Sequence, residues 1–446
     1  MVKSQFFKTK MYAHFDPVIS YSKVKSRVES PKWVSEHGFF PLIHYVKDTS
    51  KWFKEKNHKG ILKPKSREIY YASHIDGYIY KYYADILSNR YNEFAINTGI
   101  DDCSIAYRTN KIHQNNISYS REVFSYIASN DDCLIIRGDF SSFFDNINHS
   151  ELLSNLKKVL HVKWLPKDWM QVMRSLYRCD FIEKDDIELT LGKDKFCEIN
   201  SSKSEPFFNP EEFRDFKRKH IRHGIEGSPD NMGIPQGTPI SAVLANVSMI
   251  EFDKEIQSYI FPLNGMYRRY SDDFILAIPL DGKTNGTVSN IRKTITDTAQ
   301  NLGLKLNDKK TEILKYSDNK LTDFSSGENS RLDYLGFVFD GKTISIRKRS
   351  ITKFYRKAYK EIDKGLNKQI KKGYTQFPGR KKFVKNYVAI YPQTHGKSKT
   401  TNFVNYVHRS NKEFLGIENV DIFMNAEIRK SAHNFNKRLI DGLDKI

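Results

Sequence analysis

An α+β fold is expected from this chain, with an antiparallel sheet packed on helices. Three observations carry that expectation. Cys133-Leu134-Ile135-Ile136 is a short apolar run with β-branched residues that continues through Arg137-Gly138 to Asp139, the pattern of a buried strand. Tyr270-Ser271-Asp272-Asp273 lies between Met266-Tyr267 and Phe274-Ile275-Leu276-Ala277-Ile278, which reads as strand, tight turn, strand. Apolar residues at 75, 79, 82, 83, 86 and 87 fall three and four apart, so a helix starts near Ser73, a suitable N-cap.

The other elements follow in chain order. Residues 1 to about 60 are mixed, with Trp33 and Trp52 amid basic residues and little periodicity. A second helix is expected over Ser120–Ser129. In the strand that follows, alternation puts Ile135, Arg137 and Asp139 on one face, with Asp139 at the strand's end. A helix over about Ile147–Val159 comes next. The polar stretch from Cys179 to Asn231, with Gly224, Gly227 and Pro229, reads as an irregular or accessory insertion. Gly233-Ile234-Pro235-Gln236-Gly237-Thr238-Pro239 opens a helix over Ser241–Phe252, and another helix is expected over Val288–Leu302. Strands around Leu332–Phe339 and Thr343–Ile346 are joined by Asp340-Gly341, a strong hairpin signal. Beyond Ser350 the pattern is mostly helical and basic.

Length and composition bound the rest. A chain of 446 residues, 39% hydrophobic and 28% charged, is expected to form two or three globular domains. No apolar run approaches the roughly 18 residues that span a bilayer, and the N-terminus lacks a signal-peptide core, so no membrane partner and a cytoplasmic location are expected. Cys103, Cys133, Cys179 and Cys197 lie far apart without C-x-x-C pairs, which argues against a zinc site or disulfide framework. No H-E-x-x-H, Walker A loop or dinucleotide-binding G-x-G-x-x-G is present.

The net charge of +20 is uneven. From Lys342 to Lys399 there are 18 Lys and Arg against Glu361 and Asp363, interleaved with aromatics such as Phe354, Tyr355, Tyr359, Phe377, Phe383 and Tyr391. Basic charge attracts phosphates through counterion release and aromatic faces stack on bases, so this segment is a candidate nucleic-acid surface.

The candidate chemistry lies in the acids. Asp272 and Asp273, adjacent at a hairpin tip, repel each other unless a cation intervenes. A pair of divalent ions driving phosphoryl transfer is the natural occupant. Either acid alone, or Asp139 alone, would pass as an ordinary turn residue. A strand ending in Asp139, a Pro-Gln-Gly turn opening a helix and a hairpin tip with two acids, in that order, would not.

In that order the motifs resemble the reverse transcriptases. Leu134–His149 (LIIRGDFSSFFDNINH), Gly233–Asn246 (GIPQGTPISAVLAN), Tyr270–Asp273 and Leu302–Thr311 (LGLKLNDKKT) look like palm motifs A to D, and Leu332–Phe337 (LDYLGF) like the primer grip. The likeness covers about Arg67 to Ile346. It implies a right-hand polymerase: N-terminal extension and fingers over 1–130, palm over 131–346 with the 179–231 insertion, and a basic helical thumb-like domain over 347–446. It implies an RNA-directed DNA polymerase that takes dNTPs, an RNA template and two Mg²⁺ ions, with Mn²⁺ as the substitute. Asp139, Asp272 and Asp273 would be the catalytic and metal-binding acids, with the Phe140 carbonyl as a further ligand. Phe144 would wall off the sugar 2′ position. Gln236 and Gly237 would lie against the nascent base pair, and Arg67 and Lys310 would meet the triphosphate. Arg108, Tyr334, Leu335, Gly336, Arg347, Lys348 and Arg349 would contact nucleic acid. Pro-Gln-Gly and Ser-Asp-Asp depart from the Ser-Gly and Gly-Asp-Asp usual in viral RNA-dependent RNA polymerases.

Within that family, Arg67–Asp76 (REIYYASHID) with Ile79-Tyr80 and Tyr82-Tyr83 looks most like the bacterial abortive-infection, defence-associated enzymes. That likeness implies anti-phage defence, with a noncoding RNA, a partner protein or a second copy of the chain as partner, and allows protein-primed or untemplated synthesis. Retron and group II intron enzymes are the alternative; the short region after Ser350 and the absence of zinc-type cysteines set it apart from the latter. A palm retained only for nucleic-acid binding is the reading from another class, and the intact acidic trio speaks against it.

Overall fold

The computed structural model describes residues 7–53, 61–202, 205–225, 227–280, 285–374 and 402–429, with a few positions between 378 and 387. Much of the basic aromatic segment beyond Tyr374, including Phe377, Phe383 and Tyr391, lies outside the described residues. The mixed helices and antiparallel sheets make an α+β fold, as the hydrophobic periodicities imply.

The first 60 residues are more ordered in type than their composition suggests. They hold helices α1 (Tyr21–Val28) and α2 (Pro31–Glu36) and strands β1 (Leu42–Val46) and β2 (Thr49–Phe53), the last paired with β3 (Ile61–Lys65). Helices of six to eight residues are too short for periodicity to declare them. Strand β4 (Glu68–Tyr71) pairs antiparallel with β1, and Ser73 then caps helix α3 (His74–Asn97), accepting from the Asp76 N–H at 3.3 Å. Asp16 holds the same helix start, accepting from the His74 and Ile75 amides at 3.0 and 3.1 Å.

Helix α4 (Asn116–Ala128) begins four residues before the expected start, under an Asn115–Ser118 capping box. Strand β5 (Asp132–Asp139) is followed by helices α5 (His149–Leu160) and α6 (Lys167–Arg178). The 179–231 segment corrects the expectation of irregular structure. Strand β6 (Phe181–Glu183) adds parallel to β1, and helices α7 (Lys184–Leu191), α8 (Lys193–Ser202) and α9 (Pro210–His220) close over a core with Phe196, Phe207, Phe208 and Phe216. His44 of β1 ties β4 to β6, its two ring nitrogens 2.6 Å from Glu68 and 2.9 Å from Glu183.

The expected helix over Ser241–Phe252 is two helices, α10 (Ser241–Ser248) and α11 (Ile250–Ile260), separated at Met249. Strands β7 (Met266–Tyr270) and β8 (Asp273–Pro279) form the hairpin, followed by helix α12 (Asn285–Asn301), β9 (Glu312–Ser317) and β10 (Lys320–Asp323). The five-stranded sheet has the antiparallel order β10-β9-β5-β8-β7. The expected strand over Leu332–Phe339 is itself a hairpin, β11 (Leu332–Tyr334) and β12 (Phe337–Phe339), turning at Leu335 and Gly336 with φ of 44° and 103°. Strand β13 (Thr343–Ile346), the basic helix α13 (Lys348–Lys372), helix α14 (Phe403–Phe414) and β14 (Asp421–Ile422) follow, and residues 424–429 are helical at the end of the described chain.

Alternation along the five-stranded sheet divides its residues between two cores. Leu134, Ile136, Phe274, Leu276 and Ile278 pack with α3, α5, α10, α11 and α12. Cys133, Ile135, Ile275, Ala277 and Leu314 face α4, the small sheet of β11–β13, α13 and α14. Cys103, Cys133 and Cys179 are buried free thiols, and Cys197 is exposed. No described helix is long and apolar enough to cross a membrane.

Candidate active site

The register of β5 and β8 builds the site. Asp139 pairs directly with Asp273, and period 2 puts both side chains on the face that carries Ile135 and Ile275 further along. The strands reach the sheet's end here and the apolar cover stops. Gly138 is required on the opposite face, where a Cβ would lie 2.3 Å from the Phe274 ring. Between Tyr270 and Asp273 the turn has only two residues, and Ser271 takes φ of 61°, a place hairpins usually give to glycine. That turn brings Asp272 against Asp139. Their carboxyl groups are within hydrogen-bonding reach, and burial together with the charges of Asp139 and Asp273 pushes Asp272 up to about 6. Burial also raises Asp273, against the pull of Arg137, whose guanidinium lies 3.8 Å away.

A buried ion pair holds the tip from behind. Arg269 and Asp253 are wholly buried and joined twice, at 2.8 and 2.6 Å. The same guanidinium donates to the Ser271 carbonyl at 2.9 Å and to Ser104 Oγ at 3.2 Å, and Tyr267 donates to Asp253 at 2.7 Å. Sequence reading missed this group. The placing of Arg269 two residues after Tyr267, on one face of β7, was the available signal.

The remaining expected site residues divide. Residues 305–307 pair with the end of β5: the Ser141 amide donates to Lys305 O and the Asn307 amide to Asp139 O, both at 2.8 Å. This pairing leaves the Phe140 carbonyl free of its two bonds and places Lys310 on the Asp139 carboxylate as an ion pair. Phe144 is half-buried beside Phe143, its carbonyl accepting from Ile234. The Gln236 carbonyl accepts from the Tyr70 amide at 2.8 Å, and a Cβ on Gly237, where φ is 123°, would sit 2.4 Å from the Tyr70 carbonyl. Glycine is therefore demanded first by the approach of β4, rather than by a base pair. Arg67 is exposed just before β4, its backbone paired with Lys47.

Two expected nucleic-acid contacts are overturned. Arg108 is buried, its guanidinium spent on Asp101, Asn92 and the Ser104 carbonyl, and it stacks on Tyr91. Tyr334 is buried at 1% exposure in the second core. Leu335 and Gly336 form the adjoining turn, with Leu335 O accepting from Asn116 at 3.1 Å. Arg347 pairs with Asp333 and its charge pulls against the rise at Asp273, while Lys348 and Arg349 are exposed.

The donor set suits a hard divalent ion: clustered carboxylate oxygens whose mutual repulsion already favours a proton in the ion's place. Among the described residues no three His, Cys, Asp or Glu side chains close round an ion by themselves. Magnesium keeps waters and takes one or two carboxylates together with substrate phosphates.

Carboxylates gathered at one sheet end and flanked by a lysine and two arginines suit phosphoryl transfer, so fold and site describe a nucleotidyltransferase. The family model for reverse transcriptase (RNA-dependent DNA polymerase) matches residues 74–339, more than half of the chain, and the chain belongs to that family. Comparison with curated proteins finds no match. Among solved structures it is similar to the apo telomerase of Candida tropicalis truncated from its C-terminal domain, at 12% identity and TM-score 0.41 over 72% of this chain and 59% of that one. It is also similar to the telomerase of Candida albicans in complex with a fragment of telomeric RNA, at 10% identity and TM-score 0.45 over 96% of this chain and 66% of that one. The chain thus spans less than two thirds of either telomerase.

Proposed function

We propose that this chain is an active RNA-directed DNA polymerase, extending a 3′-hydroxyl with dNTPs on an RNA template. The observation that carries this reading is the meeting of Asp139 and Asp272, carboxyl to carboxyl, with Asp273 alongside. Asp139 and Asp272, with the Phe140 carbonyl, would hold the divalent ions. Bound there, two such ions lower the pKa of the attacking hydroxyl and neutralise the leaving pyrophosphate. Lys310 is an ammonium already at the site, able to leave Asp139 for the triphosphate and to give up a proton as pyrophosphate departs. The half-buried Phe144 ring next to the end of β5 supports exclusion of a 2′-hydroxyl. In this reading 1–130 is N-terminal extension and fingers, 131–346 palm and 347–446 thumb-like, and α13 tracks the duplex backbone.

The test is incorporation of dNTPs on a primed RNA template with Mg²⁺. Asp272→Ala is expected to abolish it, and Phe144→Ala to admit ribonucleotides. Incorporation that survives Asp272→Ala overturns the reading.

The finer proposal is a bacterial defence enzyme working with an RNA or protein partner. It is supported by the sequence of Arg67–Asp76. Phage challenge of cells carrying the native locus or its Asp272→Ala form decides it, and equal plaque counts reject it.

A further inference from the structure

We propose that Tyr107 is a substrate-binding residue that seats the 3′-terminal base of the growing strand beside Asp272. The inference rests on the polymerase reading and adds a residue to it.

Tyr107 has φ of 59°, in the left-handed region where a bulky side chain is a true outlier. Such strain persists only where the surroundings enforce it, and it gathers at functional sites. The enforcement is visible on both sides. Before Tyr107, residues 103–105 run as a short parallel addition to β7: the Arg269 amide donates to Cys103 O at 2.7 Å, and the Ile105 amide to Arg269 O at 3.0 Å. The buried Asn246 of α10 donates to the Ala106 carbonyl at 2.8 Å. After Tyr107, the Arg108 side chain is locked into its buried network of Asp101, Asn92 and Ser104.

Ala106 and the Arg108 side chain are buried, yet Tyr107 is 46% exposed. A core role would have hidden it. Its hydroxyl lies 3.4 Å from Ser271 Oγ, and its ring centroid is 6.4 Å from that of Tyr270. Two left-handed residues, Tyr107 and Ser271, thus meet hydroxyl to hydroxyl one residue from Asp272. An exposed aromatic face held rigidly at that place offers a base a stacking surface at little entropic cost, and stacking tolerates any sequence. A strand whose last base lies on Tyr107 has its 3′-hydroxyl delivered to the acids.

The probe is a recessed RNA–DNA duplex with 2-aminopurine as the DNA strand's 3′-terminal base, titrated with the full chain, Ca²⁺ replacing Mg²⁺. Terminal 2-aminopurine is expected to be quenched more than the same base placed internally. Tyr107→Gly relieves the backbone, so its Tm is expected to hold or rise while duplex affinity falls about tenfold and the terminal quench disappears. Tyr107→Phe keeps the ring and is expected to keep the quench. The inference is overturned if wild type shows no extra terminal quenching, or if Tyr107→Gly binds and quenches like wild type. Terminal quenching in a protein that incorporates no dNTP would sink the polymerase reading while leaving Tyr107 as a base-stacking residue.

Discussion

At the residue scale, burial and crowding push Asp272 towards its neutral form. Asp272 has a folded pKa of about 6, above the ordinary aspartate value, so the native state binds its proton more tightly than the unfolded chain does. Without a cation, this group therefore costs stability that is fully present above pH 6 and relieved as pH falls towards 4. A divalent ion removes the same repulsion. Millimolar Mg²⁺ is expected to raise Tm at pH 7.5 and to do much less at pH 5; differential scanning fluorimetry at the two pH values measures it. Asp272→Asn should raise the metal-free Tm, by a free energy on the order of 1 kcal/mol, and flatten the Mg²⁺ response. The Arg269–Asp253 pair predicts the opposite sign. Asp253→Asn leaves a guanidinium buried without its counter-charge, and a loss of about 3–5 kcal/mol in urea unfolding is expected. An unchanged midpoint would mean that solvent reaches the pair.

At the element scale, what was legible in the sequence depended on period. Strands β5 and β8 declared themselves through β-branched and apolar runs ending in acids, and α3 through its spacing and cap. Helices α7, α8 and α9 did not, because eight to eleven residues give too few turns for a stripe to emerge from a polar background. Asn209-Pro210 with Glu212, a capping box with proline at N1, was the readable sign of α9. The turn inside Leu332–Phe339 hid behind a leucine with φ of 44°, which nothing in a sequence announces. Arg108 and Tyr334 failed for a related reason: burial of a polar side chain depends on partners supplied by distant elements. Conversely, the link between the Pro-Gln-Gly turn and β4 is a feature only coordinates reveal. Gly237→Ala should collide with Tyr70 O and lose about 1–3 kcal/mol, with faster amide exchange at Tyr70 as the local marker. Protection at Tyr70 equal to wild type would show that the turn yields instead.

At the scale of the whole molecule, charge and packing set the terms. Helix α13 buries Ile351, Tyr355, Ala358 and Ile362 against the second core and turns Lys353, Arg356, Lys357, Lys360, Lys364 and Lys368 outward. Binding to an RNA–DNA duplex should weaken steeply with salt. Reversal of Lys353, Lys357, Lys360 and Lys364 to Glu should lower the slope of log K against log salt by about 3 or more. An unaltered slope would assign the phosphate contacts elsewhere. The packing has a separate consequence. Neighbouring residues of a single strand, Leu134 and Ile135, belong to different cores, so the central sheet is a party wall between two rooms. Cutting the chain after Arg347 would strip α13, α14 and β14 from one side and open the apolar faces of α4 and β11–β13 that pack with them to water. A shortened enzyme made in search of a minimal catalytic piece should for that reason come out insoluble rather than merely weak.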